Sequence, residues 1–191
     1  ATKGINIPAG EERYTVEDSI TLPVPVRAVS VGGHAHYICK SMSMSATLPD
    51  GKMITLMSID DWDLDWQDRY QFEKPLDLPA GTVLKTRLVY DNSASNPENP
   101  NSPPRRITWG QESDDEMGSM TLIVVPENNG KIQAIKDAQR AQLITSAAEA
   151  IQKASRSFLN VNNYDENGDG LIQYNEVPGR MRSRIFGRFD K

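Results

Sequence analysis

His34-Ala35-His36-Tyr37-Ile38-Cys39-Lys40-Ser41-Met42-Ser43-Met44-Ser45-Ala46-Thr47-Leu48, followed by Pro49-Asp50-Gly51-Lys52 and then Met53-Ile54-Thr55-Leu56-Met57-Ser58-Ile59, reads as strand, turn, strand. The Ser/Met alternation has the two-residue period of a pleated strand, and Pro-Asp-Gly is turn chemistry. Outward from this stretch, further candidate strands at 13–17, 24–31, 66–72, 82–90, 105–109 and 120–125 are separated by turn text such as Pro79-Ala80-Gly81 and the Asn/Pro/Ser-rich stretch 92–104. About eight short strands with little helical periodicity predict a mainly β fold, an antiparallel β-sandwich of jelly-roll type.

The same stretch opens with the chain's two histidines, and about eighty residues later comes Asp114-Asp115-Glu116-Met117. A strand places residues i and i+2 on one face, roughly 7 Å apart, so two imidazoles at that spacing can converge on one ion. With Met117 as a third ligand the set is two nitrogens and a soft sulfur, which suits copper that visits Cu(I). A coordination position then stays open for chemistry. Against this stands the plain reading, in which a methionine on an apolar strand, such as Met120, fills core. Met42 and Met44 would share the histidine face if no bulge intervenes, as auxiliary ligands or as core filler. Strand alternation points Cys39 away from His34 and His36, which argues against a copper thiolate.

Several separated blocks carry a likeness to a known family. They are Gly33-His34-Ala35-His36, Trp66-Gln67-Asp68-Arg69-Tyr70, Leu78-Pro79-Ala80-Gly81-Thr82, Tyr90-Asp91-Asn92-Ser93 with Asn96-Pro97-Glu98-Asn99-Pro100, and Trp109-Gly110 followed by Ser113-Asp114-Asp115-Glu116-Met117. In order and spacing, residues 5–126 resemble the C-terminal copper lobe of the ascorbate-dependent copper type II monooxygenases, the family of peptidylglycine hydroxylase and dopamine β-hydroxylase. The resemblance implies that His34, His36 and Met117 are the copper ligands and the catalytic residues, with Asp115 or Glu116 behind them. It further implies oxygen activation, a small-molecule substrate, and ascorbate or another external reductant. Three departures qualify it. A preceding lobe with a three-histidine electron-storing copper is absent, because the chain has no third histidine. The arginine and tyrosine that grip a peptide carboxylate in peptidylglycine hydroxylases are replaced by Gly32 and Thr121, which argues against peptide amidation. One cysteine, Cys39, leaves no disulfide brace.

After Pro126 the texture changes. Asn128-Asn129-Gly130 reads as a linker, and Ile132, Ile135, Leu143, Ile144, Ala147, Ile151, Ala154 and Phe158 recur at broadly helical spacing, as one amphipathic helix or two. They lead to Asp165-Glu166-Asn167-Gly168-Asp169-Gly170-Leu171-Ile172-Gln173-Tyr174-Asn175-Glu176, an EF-hand loop by residue type. Asp165, Asn167 and Asp169 present side-chain oxygens, Leu171 its carbonyl, Gln173 acts directly or through water, and Glu176 closes bidentately on calcium. Phe189-Asp190-Lys191 resembles the start of a second loop. The expected division is therefore 1–127, a copper sandwich, and 128–191, a small α-helical EF-hand region whose second hand is cut short.

Charge divides unevenly. Residues 1–128 carry 11 lysines and arginines against 19 aspartates and glutamates, a net −8, and residues 129–191 carry 10 against 7, a net +3. An acidic domain is a poor nucleic-acid binder. The acidic run 60–68, with Trp62 and Trp66 interleaved, reads as a cation site, a carbohydrate-stacking platform, or a solvated strand edge with packed aromatics; the last is expected. No apolar run reaches the roughly 18 residues that span a bilayer, and no signal-peptide pattern opens the chain, so membrane insertion is not expected. The absence of a partner lobe suggests a fragment of a larger exported protein, with an electron-donor domain or protein elsewhere. Two other readings compete: a copper-binding module without turnover, and a calcium-dependent interaction module.

Overall fold

The computed structural model describes residues 4–128 and 130–159. The residues expected to bind calcium, Asp165, Asn167, Asp169, Leu171, Gln173 and Glu176, and the expected start of a second hand at Phe189, lie outside the described residues. The described part is mainly β, with antiparallel sheets and one helix. Its strands are β1 (Asn6–Ile7), β2 (Tyr14–Thr21), β3 (Val26–Ala35), β4 (Cys39–Thr47), β5 (Met53–Ile59), β6 (Arg69–Leu78), β7 (Val83–Tyr90), β8 (Ile107–Thr108) and β9 (Gly118–Pro126), followed by α1 (Gly130–Leu159). Three sheets form, ordered β2-β7-β4-β5, β6-β3-β9 and β1-β8.

The hairpin β4–β5 forms as its sequence directs. Gly51 takes the left-handed φ of +87° that a side chain would resist. The Leu48 and Gly51 amides donate to the carbonyls of Lys52 and Leu48, at 2.8 and 2.9 Å, and the Asp50 carboxylate accepts the Lys52 amide at 2.9 Å. The two larger sheets share one hydrophobic core, with Val26, Ala28, Val31 and Ala35 of β3 and Leu78 of β6 joining Met42, Met44 and Ala46 of β4 and Leu84, Leu88 and Tyr90 of β7. The arrangement is sandwich-like.

One sequence expectation is corrected at the point that matters most. The single strand expected over 34–48 is two: β3 continues through His34 to Ala35, the chain turns at Tyr37 and Ile38, and β4 begins at Cys39. No glycine or proline marks this turn. It is closed by the Cys39 amide donating to the His36 carbonyl at 3.4 Å and by a carboxylate from a distant loop. A register shift between Cys39 and Ser41 in the pairing with β7 then brings both Cys39 and Met42 into the core. Met42 and Met44 are therefore core residues.

Within the acidic run Trp62 is buried, as expected, but Trp66 precedes β6 and is 68% exposed, so its ring is not packed. The stretch 92–104 is stitched by its own amides: Asn92 Nδ2 donates to the carbonyls of Pro8 and Arg105, each at 2.8 Å, and Asn99 Nδ2 to Asn92 Oδ1 at 3.0 Å. Helix α1 is a single helix; Ile135 packs on the sheet core and Gln142 Nε2 donates to Asp18 Oδ1 at 2.8 Å. The chain divides into two compact units, residues 1–142 and 143–191, a boundary inside α1. Leu143 and Ile144 are exposed. No helix among the described residues is long and apolar enough to cross a membrane.

Candidate metal centre

Strand register brings the segments that carry the three candidate ligands together. Strands β3 and β9 pair Gly32 with Thr121, Gly33 with Met120, His34 with Ser119 and Ala35 with Gly118. Continued by one residue, that ladder sets His36 opposite Met117, although neither belongs to a strand. Side chains alternate along β3, and the direction at Gly33 is fixed by what a Cβ there would meet: the Met42 sulfur at 2.1 Å and the Met57 methyl at 3.2 Å. Gly33 thus faces the core and His34 the outer face of the sheet. From there His34 Nε2 lies 3.0 Å from Met117 Sδ. The His36 ring stands edge-on to that of His34, with centroids 5.3 Å apart.

Each imidazole is oriented through its Nδ1. The His34 Nδ1–H donates to Gln67 Oε1, and Gln67 is itself fixed by its amide donating to the Leu64 carbonyl at 2.7 Å. The His36 Nδ1–H donates to the Asp115 carbonyl at 3.2 Å. With the proton on Nδ1, each Nε2 presents a lone pair, the form in which imidazole binds a metal.

These residues fit a soft cation. His34 Nε2 faces a thioether that has only lone pairs to offer, so two acceptors oppose each other at 3.0 Å with no proton between them. A cation satisfies both. Among the described residues no group of three His, Cys, Asp or Glu side chains converges. The trio therefore depends on the thioether, which favours copper over harder ions.

Glu116 sits behind His36 and Met117, fully buried. Its Oε1 accepts the His36 amide at 2.7 Å and the Met117 amide at 2.8 Å, while Oε2 has no hydrogen-bond partner of normal geometry. Burial pushes its carboxyl up to about 7 against the opposing pull of the His36, Met117, Ile38 and Cys39 amides. Tyr90 donates its hydroxyl to the Met117 carbonyl at 3.3 Å. Burial, and after it the neighbouring Glu116, raises the Cys39 thiol well above its ordinary range, and its Sγ is directed to the Ser41 carbonyl at 3.7 Å. Cys39 is a core thiol.

The loop that carries Met117 is shaped by Gly110. A Cβ there would meet the Asp115 carboxylate at 1.9 Å, and the Gly110 amide donates to the Glu116 carbonyl at 3.1 Å. Arg105 holds the loop's outer side through a 2.8 Å ion pair with Asp114. Gly32 stands between Thr121 and Arg69 in register, and a Cβ there would meet the Asp68 carbonyl oxygen at 3.3 Å. A cavity of about 530 Å³ has Tyr37 and Leu64 in its walls, and none of His34, His36, Met117 or Gln67 lines it. Its other lining includes Trp62, Asp61, Asp63, Asp65 and Glu98.

Sequence reasoning assigned no role to Gln67. It lies in one of the blocks quoted above, but its contact with His34 spans two strands and has no local signature. The chain matches no family model and no curated protein.

Proposed function

We propose that the chain is a copper domain of the monooxygenase type, with His34, His36 and Met117 as ligands. The observation that supports this best is the convergence of an Nε2 lone pair on a thioether at 3.0 Å with both histidine Nδ1 atoms already engaged by protein acceptors. Bound there, copper would supply activation of dioxygen toward a substrate C–H bond. The chain's own residues hold the imidazoles in one tautomer and offer a soft ligand that favours the reduced metal. We read the fold as a jelly-roll-type sandwich, because the chain passes from one large sheet to the other at nearly every step and only β4 and β5 are sequential neighbours.

With two histidines in the chain, a single copper centre of this kind cannot store all the electrons that hydroxylation consumes. Ascorbate, another reductant, or an electron-donor domain or protein has to supply them, as would suit a piece of a larger exported protein. The same count favours a second reading, a copper-binding module without turnover. The EF-hand text of 165–176 supports calcium bound beside copper in one chain, in a structural role.

Copper stoichiometry and Cu(I) affinity, measured under ascorbate, test the reading. One equivalent is expected, lost in His34→Ala and weakened more for Cu(I) than for Cu(II) in Met117→Ala. Absence of specific copper binding by the wild type would overturn it. Tight binding without oxygen consumption in the presence of reductant and candidate substrates would select the module without turnover.

A further inference from the structure

We infer that Glu116 is the positioning residue of this centre: one carboxylate ties the main chain of His36 to that of Met117, so that an imidazole and the thioether are held as a unit. The consequence for metal binding rests on the copper reading above; the tie itself does not.

The β3–β9 ladder ends at Ala35 and Gly118. The next residues out, His36 and Met117, have lost their sheet partners, yet both amides donate to the same oxygen, Glu116 Oε1, at 2.7 and 2.8 Å. The carboxylate therefore replaces the missing rung. An apolar side chain could fill the same buried volume, but it has no atom to accept either amide. Two contacts complete the brace: Tyr90 donates to the Met117 carbonyl, and His36 Nδ1 donates to the carbonyl of Asp115, the residue beside Glu116. His34 is anchored separately, by Gln67 at the approach to β6. Loss of Glu116 should accordingly displace His36 and Met117 together while sparing His34. General loss of stability would not produce that pattern.

The test compares the wild-type chain with Glu116→Ala and Glu116→Gln. In the metal-free protein, amide hydrogen exchange at His36 and Met117 should accelerate at least about tenfold in Glu116→Ala with the amides of β7 unchanged, whereas Glu116→Gln, which keeps an acceptor oxygen, should stay near wild type. In the copper-loaded protein, Glu116→Ala should lose the sulfur contribution to the Cu(I) X-ray absorption spectrum and about 10- to 100-fold in affinity, and Glu116→Gln should keep both. Wild-type exchange at the two amides in Glu116→Ala, or an undiminished sulfur contribution, would overturn the inference. Should Glu116→Ala not fold, Glu116→Asp, one methylene too short to reach both amides, must show the same selective loss. A wild type with no Cu(I)–sulfur contribution would instead sink the copper reading, and the exchange measurement would still decide the tie.

Discussion

At the scale of single residues, the centre is built from side chains doing one job each. Gln67 accepts the His34 Nδ1 proton and is held by the Leu64 carbonyl, so its loss frees the ring to rotate and to change tautomer. Outer partners of this kind typically matter by about 10- to 100-fold in metal affinity. Gln67→Ala should therefore weaken Cu(I) by that factor without altering the thermal unfolding temperature, because Gln67 is exposed and packs no core; isothermal competition against a Cu(I) chelator would measure it. Cys39 makes the opposite case. Buried and pushed toward the protonated thiol, it offers less thiolate at any pH than a free cysteine does. At pH 8 it should resist alkylation by iodoacetamide until the chain is unfolded, with or without copper, and Cys39→Ser should leave copper stoichiometry unchanged. Ready alkylation of the folded protein would contradict the burial assigned to it.

At the scale of elements, Gly33 and Gly110 carry the tightest constraints at the site. Gly33 lies between the outward His34 and the inward methionines, and a Cβ there would lie 2.1 Å from Met42 Sδ. Overpacking of this kind costs about 1–3 kcal/mol. Gly33→Ala should lower stability by that amount in denaturant unfolding. A smaller residue at 42 should relieve part of the clash, so Gly33→Ala with Met42→Ala should fall short of additivity by about 1 kcal/mol or more. Full additivity would mean that the Met42 sulfur does not fill the space. The strands themselves were largely legible: 53–59 coincides with β5, and 82–90 with β7 to within one residue, because alternation and flanking turn residues are local signals. The break after Ala35 was not legible. Its turn residues are His36, Tyr37 and Ile38, and what closes it is Glu116, about eighty residues away. The bulge between Cys39 and Ser41 was hidden for a related reason, since a register shift is set by the partner strand. β1, two residues paired with β8, is too short to have a period.

At the scale of the whole molecule, the proposed reading assigns the sequence two metal motifs of opposite hardness, a His-His-Met set and the carboxylate-rich stretch 165–176. The first was readable as residue types, but its geometry depends on a strand ladder that only the fold supplies, running from Gly32 and Thr121 to Ala35 and Gly118, one residue short of His36 and Met117. Hard oxygen ligands and soft sulfur discriminate strongly between calcium and Cu(I), so each ion should be removable without disturbing the other. The expected outcome is specific. Titrating the full chain with EGTA in the presence of Cu(I) should lower its far-ultraviolet helical signal or thermal stability while leaving Cu(I) affinity within about threefold, well under 1.4 kcal/mol. Removing copper with a Cu(I) chelator should leave calcium affinity equally unmoved. Were calcium removal to change Cu(I) affinity tenfold or more, reciprocity would require copper to change calcium affinity by the same factor, and calcium would then act as an effector of the copper centre. The assignment of calcium to a structural role would fall with that result, while the ligand set His34, His36 and Met117 would stand.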